Sequence, residues 1–228
     1  MIKAVVFDLD HTLFDRHATL RAIVPLLRQK FDTAADMSDE KIASLWCCAD
    51  DALVYHGWER VWEFLVENGV FNSAPGFSDY CDFLSDSFAH TAVAFPETVP
   101  MLMSLRESGC KTALITNGYH DLQNSKIDML GLRDCFDEIM VSSDYEVFKP
   151  DRRIFDIMRE KLGFLPEEIV YVGDNPVNDI FGARSAGWKT IWIKSTGYWD
   201  YSVERADGEV GFVTEIPEMI EKFNLTEE

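Results

Sequence analysis

Two textures of apolar and polar residues alternate along this chain. Residues 2–9 and about 110–193 carry short runs rich in β-branched residues: IKAVVFDL (2–9), KTALIT (111–116), DEIMVSS (137–143), EIVYVGD (168–174) and KTIWIK (189–194). These runs are continuously apolar, and helical patterns separate them, which predicts a parallel sheet covered on both faces. Helix ends are marked too. Pro166 with Glu167 and Glu168 suits a short first turn. The stretch NDIFGARSAG (178–187) spaces Ile180, Ala183 and Arg184 as one helix face, with Gly187 as a left-handed stop. PEMIEKFNL (217–225) predicts a terminal helix, and Thr226-Glu227-Glu228 reads as a frayed tail.

Residues 17–92 lack such runs and repeat at helical spacing instead. ATLRAIVPLLRQKF (18–31) sets Leu20, Ile23, Val24, Leu27 and Phe31 on one face, with a kink expected at Pro25. SDEKIASLWCCADDALVY (38–55) opens on a Ser cap and an acidic first turn. WERVWEFLVENG (58–69) gathers Val61, Trp62 and Leu65 and ends at Gly69, and FSDYCDFLSDSFAH (77–90) is a fourth amphipathic stretch. A helical insert is therefore expected between the first strand and the rest of the sheet. Its aromatics Trp46, Trp58, Trp62 and Phe64 are expected chiefly to pack helices.

Composition narrows the partners. The 228 residues are 47% hydrophobic, enough for a real core, and carry a formal net charge of -19. Phosphate backbones are held by Lys and Arg, so a nucleic acid polymer is not an expected partner, nor is an anionic membrane surface. A phosphorylated substrate would have to be drawn in locally, against a repulsive long-range field. No apolar run approaches the ~18 residues of a membrane span. Five cysteines without a CxxC pair read as small hydrophobes in a reducing compartment, so a cytoplasmic location is expected. The oligomeric state is not legible.

Chemistry gathers where the predicted strands end, the edge at which open parallel sheets bind ligands. The first run ends in Asp8 and Asp10, the second in Thr116-Asn117-Gly118 and the fourth in Gly173-Asp174-Asn175, with Asp179 five residues beyond Asp174. The third leads to Lys149-Pro150. Each group alone has a plain reading as a solvated strand end, a turn or a helix cap. Their joint placement suits one task. A carboxylate can attack phosphorus, and a neighbouring carboxyl can protonate the leaving oxygen. The Thr116 hydroxyl, backbone N–H groups near Asn117 and Gly118, and the Lys149 ammonium are the right donors for phosphoryl oxygens, which makes these the substrate-binding candidates. Clustered acids repel a phosphate dianion unless a hard divalent cation intervenes, and Mg2+ suits oxygen ligands best.

The segments DLDHT, ITNG, KP and GDNPVND with its continuation IFGARSAGW, in that order, resemble the haloacid dehalogenase-like (HAD) hydrolase superfamily, in its phosphatase branch with a helical cap after the first strand. The resemblance implies an α/β fold: a Rossmann-like, doubly wound parallel sheet core, residues 1–16 and 93–228, with an inserted α-helical cap domain, residues 17–92. It also implies Asp8 as nucleophile and Asp10 as general acid/base, with Thr116 and Lys149 on the phosphoryl group. Asp8, the Asp10 backbone carbonyl and Asp174 would surround Mg2+, and Asp179 would support them by orienting Lys149 or metal-bound water. His11 departs from the Gly common at that position in relatives.

The expected activity is hydrolysis of a small-molecule phosphate monoester, of nucleotide or sugar phosphate type, through an aspartyl phosphate. The aromatic-rich insert leans towards nucleotides. Rivals are a 2-haloacid dehalogenase, a phosphomutase and a catalytically silent binding module. Asp10 speaks against the first, since displacing halide needs no leaving-group proton.

Overall fold

The computed structural model describes residues 1–54, 57–195 and 199–225. Tyr55, which closes the predicted second helix of the insert, and the acidic tail lie outside them. The chain divides into two compact units, Met1–Asp15 with Ala94–Glu228, and Arg16–Val93. It opens with β1 (Ala4–Phe7) and then forms the second unit from α1 (Arg16–Lys30), α2 (Asp39–Leu53), α3 (Trp58–Glu67) and α4 (Phe77–Thr91). Back in the first unit come α5 (Thr98–Glu107), β2 (Lys111–Thr116), α6 (His120–Met129), β3 (Glu138–Val141), α7 (Ser142–Tyr145) and α8 (Arg152–Leu162). The chain closes with β4 (Ile169–Gly173), α9 (Gly182–Ser185), β5 (Lys189–Ile193), β6 (Gly208–Val210) and α10 (Ile216–Leu225).

The first unit is a parallel six-stranded sheet ordered β3-β2-β1-β4-β5-β6, the doubly wound arrangement. Strands β1, β2 and β4 are apolar almost throughout because the central strands are buried on both faces. On one face Val6, Ile115, Met140 and Tyr171 pack with Phe155 and Trp188. Phe155 meets Tyr171 and Trp188 edge to face, at centroid distances of 5.3 and 5.5 Å.

In the second unit Ser38 caps α2 by accepting the Lys41 N–H, as its sequence predicts. Helix α1 runs unbroken through Pro25, which is exposed while Leu20, Ile23, Val24 and Leu27 are buried. Arg16 and Asp50 form a buried two-pronged ion pair at 2.6 and 2.8 Å, and the Arg16 guanidinium lies over the Phe88 ring. Trp46 is fully buried against Tyr80, a packing residue as expected.

The stretch expected as one helix over 178–187 is two pieces. A wide π-turn spans Pro176–Phe181, and only Gly182–Ser185 is α-helical, before Gly187 turns left-handed at φ 83°. The periodicity of Ile180 and Ala183 survives the wider turn, so the pattern could not separate the two forms. Strand β6, three residues long, also escaped the sequence reading. Among the described residues no helix is long and apolar enough to cross a membrane.

Candidate active site

Phe7, the last residue of β1, pairs with Leu114 on one side and Val172 on the other. Asp8, Thr116 and Asp174 therefore leave the sheet at the same edge, beside the strand where the order of connection reverses. The Asp8 N–H donates to the Val172 carbonyl at 2.9 Å, extending the ladder by one step and fixing where the side chain departs.

Lys149 is the hub of the site. The residue is 5% exposed, and its ammonium donates to Asp8 Oδ1 and Asp179 Oδ1, both at 2.7 Å, and to Tyr171 Oη at 2.8 Å. The Tyr171 hydroxyl donates onward to the Ile115 carbonyl at 3.1 Å. Asp179 Oδ2 accepts the Asn175 N–H at 2.9 Å, so both its oxygens are engaged. Asp179 can fold back this far because residue 173 is Gly: a Cβ there would stand 2.4 Å from the Asp179 carboxyl carbon. Asn117 clamps the Lys149 backbone from both sides, donating to its carbonyl and accepting its N–H, each at 2.9 Å. The Lys149–Pro150 peptide is cis.

Asp10 belongs to a second group. Lys126 Nζ reaches its two carboxylate oxygens at 2.8 and 2.9 Å, and Gln123 Nε2 reaches Oδ2 at 3.1 Å. The same amide nitrogen contacts the Thr116 hydroxyl oxygen and the Asn117 carbonyl. Gly118, at φ 150°, lets Gln123 lie flat against the chain, since a Cβ there would come within 2.8 Å of Gln123 Cγ. The Asp10 side chain is 24% exposed, whereas Lys126 is buried. Between the two groups His11 adopts a left-handed φ of 62°, a conformation Gly holds without strain and a bulky residue rarely adopts.

Burial governs the charges here. It pushes the Asp8 carboxyl up to about 7, Lys149 pulling the other way and Asp179 adding to the rise. Burial, then Asp179 and Asp8, holds Asp174 well above the usual carboxylate range. Burial by itself would lower the Lys149 ammonium, but Asp179 and Asp8 together outweigh it and keep it well above its ordinary value.

Carboxylate oxygens of Asp8, Asp174 and Asp179 lie within 4.8 Å of one another. Ionised, the carboxyls of Asp8, Asp10, Asp174 and Asp179 would exceed the Lys149 and Lys126 ammonium groups by the charge of one divalent cation, and without such a cation burial draws Asp8 and Asp174 towards their protonated forms. All-oxygen donors of this kind fit a hard cation such as Mg2+. Asp179 accepts from Lys149 and Asn175, and Asp8 from Lys149 and the Thr12 hydroxyl, so each would offer a cation the remaining lone pairs of oxygens that are already hydrogen-bonded.

Every residue singled out from the sequence, Asp8, Asp10, Thr116, Asn117, Lys149, Asp174 and Asp179, stands at this edge. One donor differs from expectation: the Gly118 N–H donates to Ser142 Oγ at 3.0 Å, while the Asn117 side chain, not its backbone N–H, is engaged with the Lys149 backbone. A Ser facing a tight turn closes that N–H, so it is not open to a ligand. Sequence reading missed Gln123, Lys126 and Tyr171. Gln123, Lys126 and Ile127 share one buried face of α6, but two polar residues in three read as a solvated face, and Tyr171 hides in an apolar run.

The chain is 31% identical over 226 residues to the glyceraldehyde 3-phosphate phosphatase of Methanopyrus kandleri, covering 95% of this chain and 94% of that protein. It is 27% identical over 237 residues to the (S)-2-haloacid dehalogenase of Pseudomonas sp. strain YL, covering 96% and 95%. Among solved structures, the HAD phosphatase from Thermococcus onnurineus superposes with a TM-score of 0.66 at 27% identity, over 96% of this chain and 98% of that one. The family model for haloacid dehalogenase-like hydrolases matches residues 2–187, and the chain belongs to that family.

Proposed function

We propose that this hydrolase cleaves small-molecule phosphate monoesters through an aspartyl phosphate on Asp8. The observation that carries the reading is Asp10, a second carboxylate two residues beyond the buried Asp8 and partly open to solvent. Displacing halide needs no such proton carrier, and the phosphatase relatives support the same choice.

In the first step an Asp8 oxygen bonds to phosphorus as the bond to the leaving oxygen breaks, and a proton on Asp10 passes to that oxygen. In the second, water bonds to phosphorus, its proton returns to Asp10, the bond to Asp8 breaks and inorganic phosphate leaves. Lys149 faces the phosphoryl oxygens from beside Asp8, while Asp179 and Asn117 hold it there. The Thr116 oxygen accepts from Gln123, which leaves its hydrogen free to donate to a phosphoryl oxygen. Asp8, Asp174 and the Asp10 backbone carbonyl would hold Mg2+, with Asp179 supporting. Bound there, the cation supplies positive charge that lets an anionic substrate approach clustered carboxylates. The helical unit, Arg16–Val93, acts as a cap that selects the leaving group. Trp58, Trp62 and Phe64, half-buried, are its candidates for stacking a base. The five cysteines are free thiols, which suits the reducing cytoplasm.

The test is a panel of nucleoside monophosphates, sugar phosphates and triose phosphates with Mg2+, read as inorganic phosphate. Turnover lost in Asp8→Asn and in EDTA is expected. Halide release from a 2-haloacid with no phosphate release from any ester would overturn the reading in favour of a dehalogenase.

A further inference from the structure

We infer that Lys126, with Gln123, is a positioning residue that aims the Asp10 carboxyl at the leaving-group oxygen. This rests on the phosphatase reading above. Lys126 is a buried cation that the family motifs do not include, and the steps just described do not use it. Its ammonium meets both oxygens of Asp10, at 2.8 and 2.9 Å, and stacks 5.6 Å from the centre of the Phe14 ring. Gln123, one helical turn earlier on α6, adds a third hydrogen bond at 3.1 Å. Two donors from one rigid helix fix both the position and the plane of a carboxyl that solvent on its open side would otherwise let rotate. Lys149 points elsewhere: its ammonium is shared among Asp8, Asp179 and Tyr171, so Asp8 and Asp10 are oriented by separate lysines from separate elements. Attack by Asp8 and proton delivery by Asp10 are thus held independently, and losing the second should leave the first in place.

The experiment compares two esters that differ in their need for a proton. The alkoxide leaving from an alkyl phosphate such as glycerol phosphate must be protonated as it departs; the phenolate leaving from dinitrophenyl phosphate need not be. Positioned proton transfer is worth ~10²–10⁴-fold, and misaiming it forfeits part of that. Lys126→Met should therefore lower kcat on the alkyl ester by about 10²-fold and on the dinitrophenyl ester several times less, with KM little moved. Lys126→Arg should recover most of the alkyl turnover. Should the Met variant not fold, Gln123→Met removes the other donor to Asp10 and reads the same ratio. Equal losses on the two esters, or no loss on either, would overturn the inference while leaving the phosphatase reading intact. Absence of phosphate release from both esters by the unaltered enzyme would overturn both.

Discussion

The Lys149 ammonium stands 2.7 Å from a carboxylate oxygen of Asp8, although 141 residues separate them in the chain. The pair is buried, and Asp179 shares the same ammonium at the same distance. Removing the cation leaves the buried Asp8 and Asp179 carboxyls facing each other, so that one of them must stay unpaired in its charge or take up a proton. Lys149→Met is expected to destabilise the fold by about 3–5 kcal/mol and to lower kcat by at least ~10²-fold. Denaturant unfolding checks the first, and adding Asp179→Asn to the Met variant should restore part of the lost stability. A Met variant as stable as the parent would mean that Asp8 and Asp179 are not charged together.

Asp8 gives stability a definite slope with pH. Its carboxyl is raised by burial from 3.8 to about 7 in the folded protein. A carboxyl raised on folding favours the folded state while protonated. Its contribution is complete below about pH 4 and is lost as pH rises through about 7. In EDTA, Asp8→Asn should therefore gain stability relative to the parent between about pH 4 and pH 7, by up to ~1.4 kcal/mol per pH unit. Paired thermal melts across that range measure it. Parallel curves would show that Asp8 is ionised throughout.

Cation binding should be visible without any turnover. With Mg2+ at about 100 times its dissociation constant, the parent is expected to gain ~2.7 kcal/mol, which appears as a higher Tm than in EDTA. Asp174→Ala removes one of the carboxylates that cluster with Asp8 and should abolish most of that rise. An undiminished rise would put the cation on other ligands.

Gly173→Ala probes the close approach behind the hub. The added methyl would fall 2.4 Å from the Asp179 carboxyl carbon and must push that side chain off Lys149. A cost of about 1–3 kcal/mol is expected, with kcat falling more than KM rises. A fully active, equally stable Ala variant would show that Asp179 is not needed where it stands.

Much of the fold was legible because strands and helices leave local periodic marks. The runs at 111–116 and 189–194 became β2 and β5, and the helical texture of 17–92 became α1–α4. The carboxylates at 8, 10 and 174 were legible for a related reason: a polar residue at the end of a continuous apolar run is conspicuous beside its neighbours. What escaped was whatever depends on distant chain. The π-turn at Pro176–Phe181 keeps an ordinary apolar spacing. Lys126 looks like one of many surface lysines, and its burial comes with its meeting Asp10, 116 residues away.

By itself, then, the order of residues determined the alternation of elements and which chemical groups stand at strand ends, since both follow from hydrophobic burial acting over a few neighbouring positions. Tertiary structure alone decided which cation faces which carboxylate, and that the Asn117 side chain holds the Lys149 backbone. Ion pairing in a buried site depends on where remote segments return, and a central strand flanked by β2 and β4 gathers partners from across the chain.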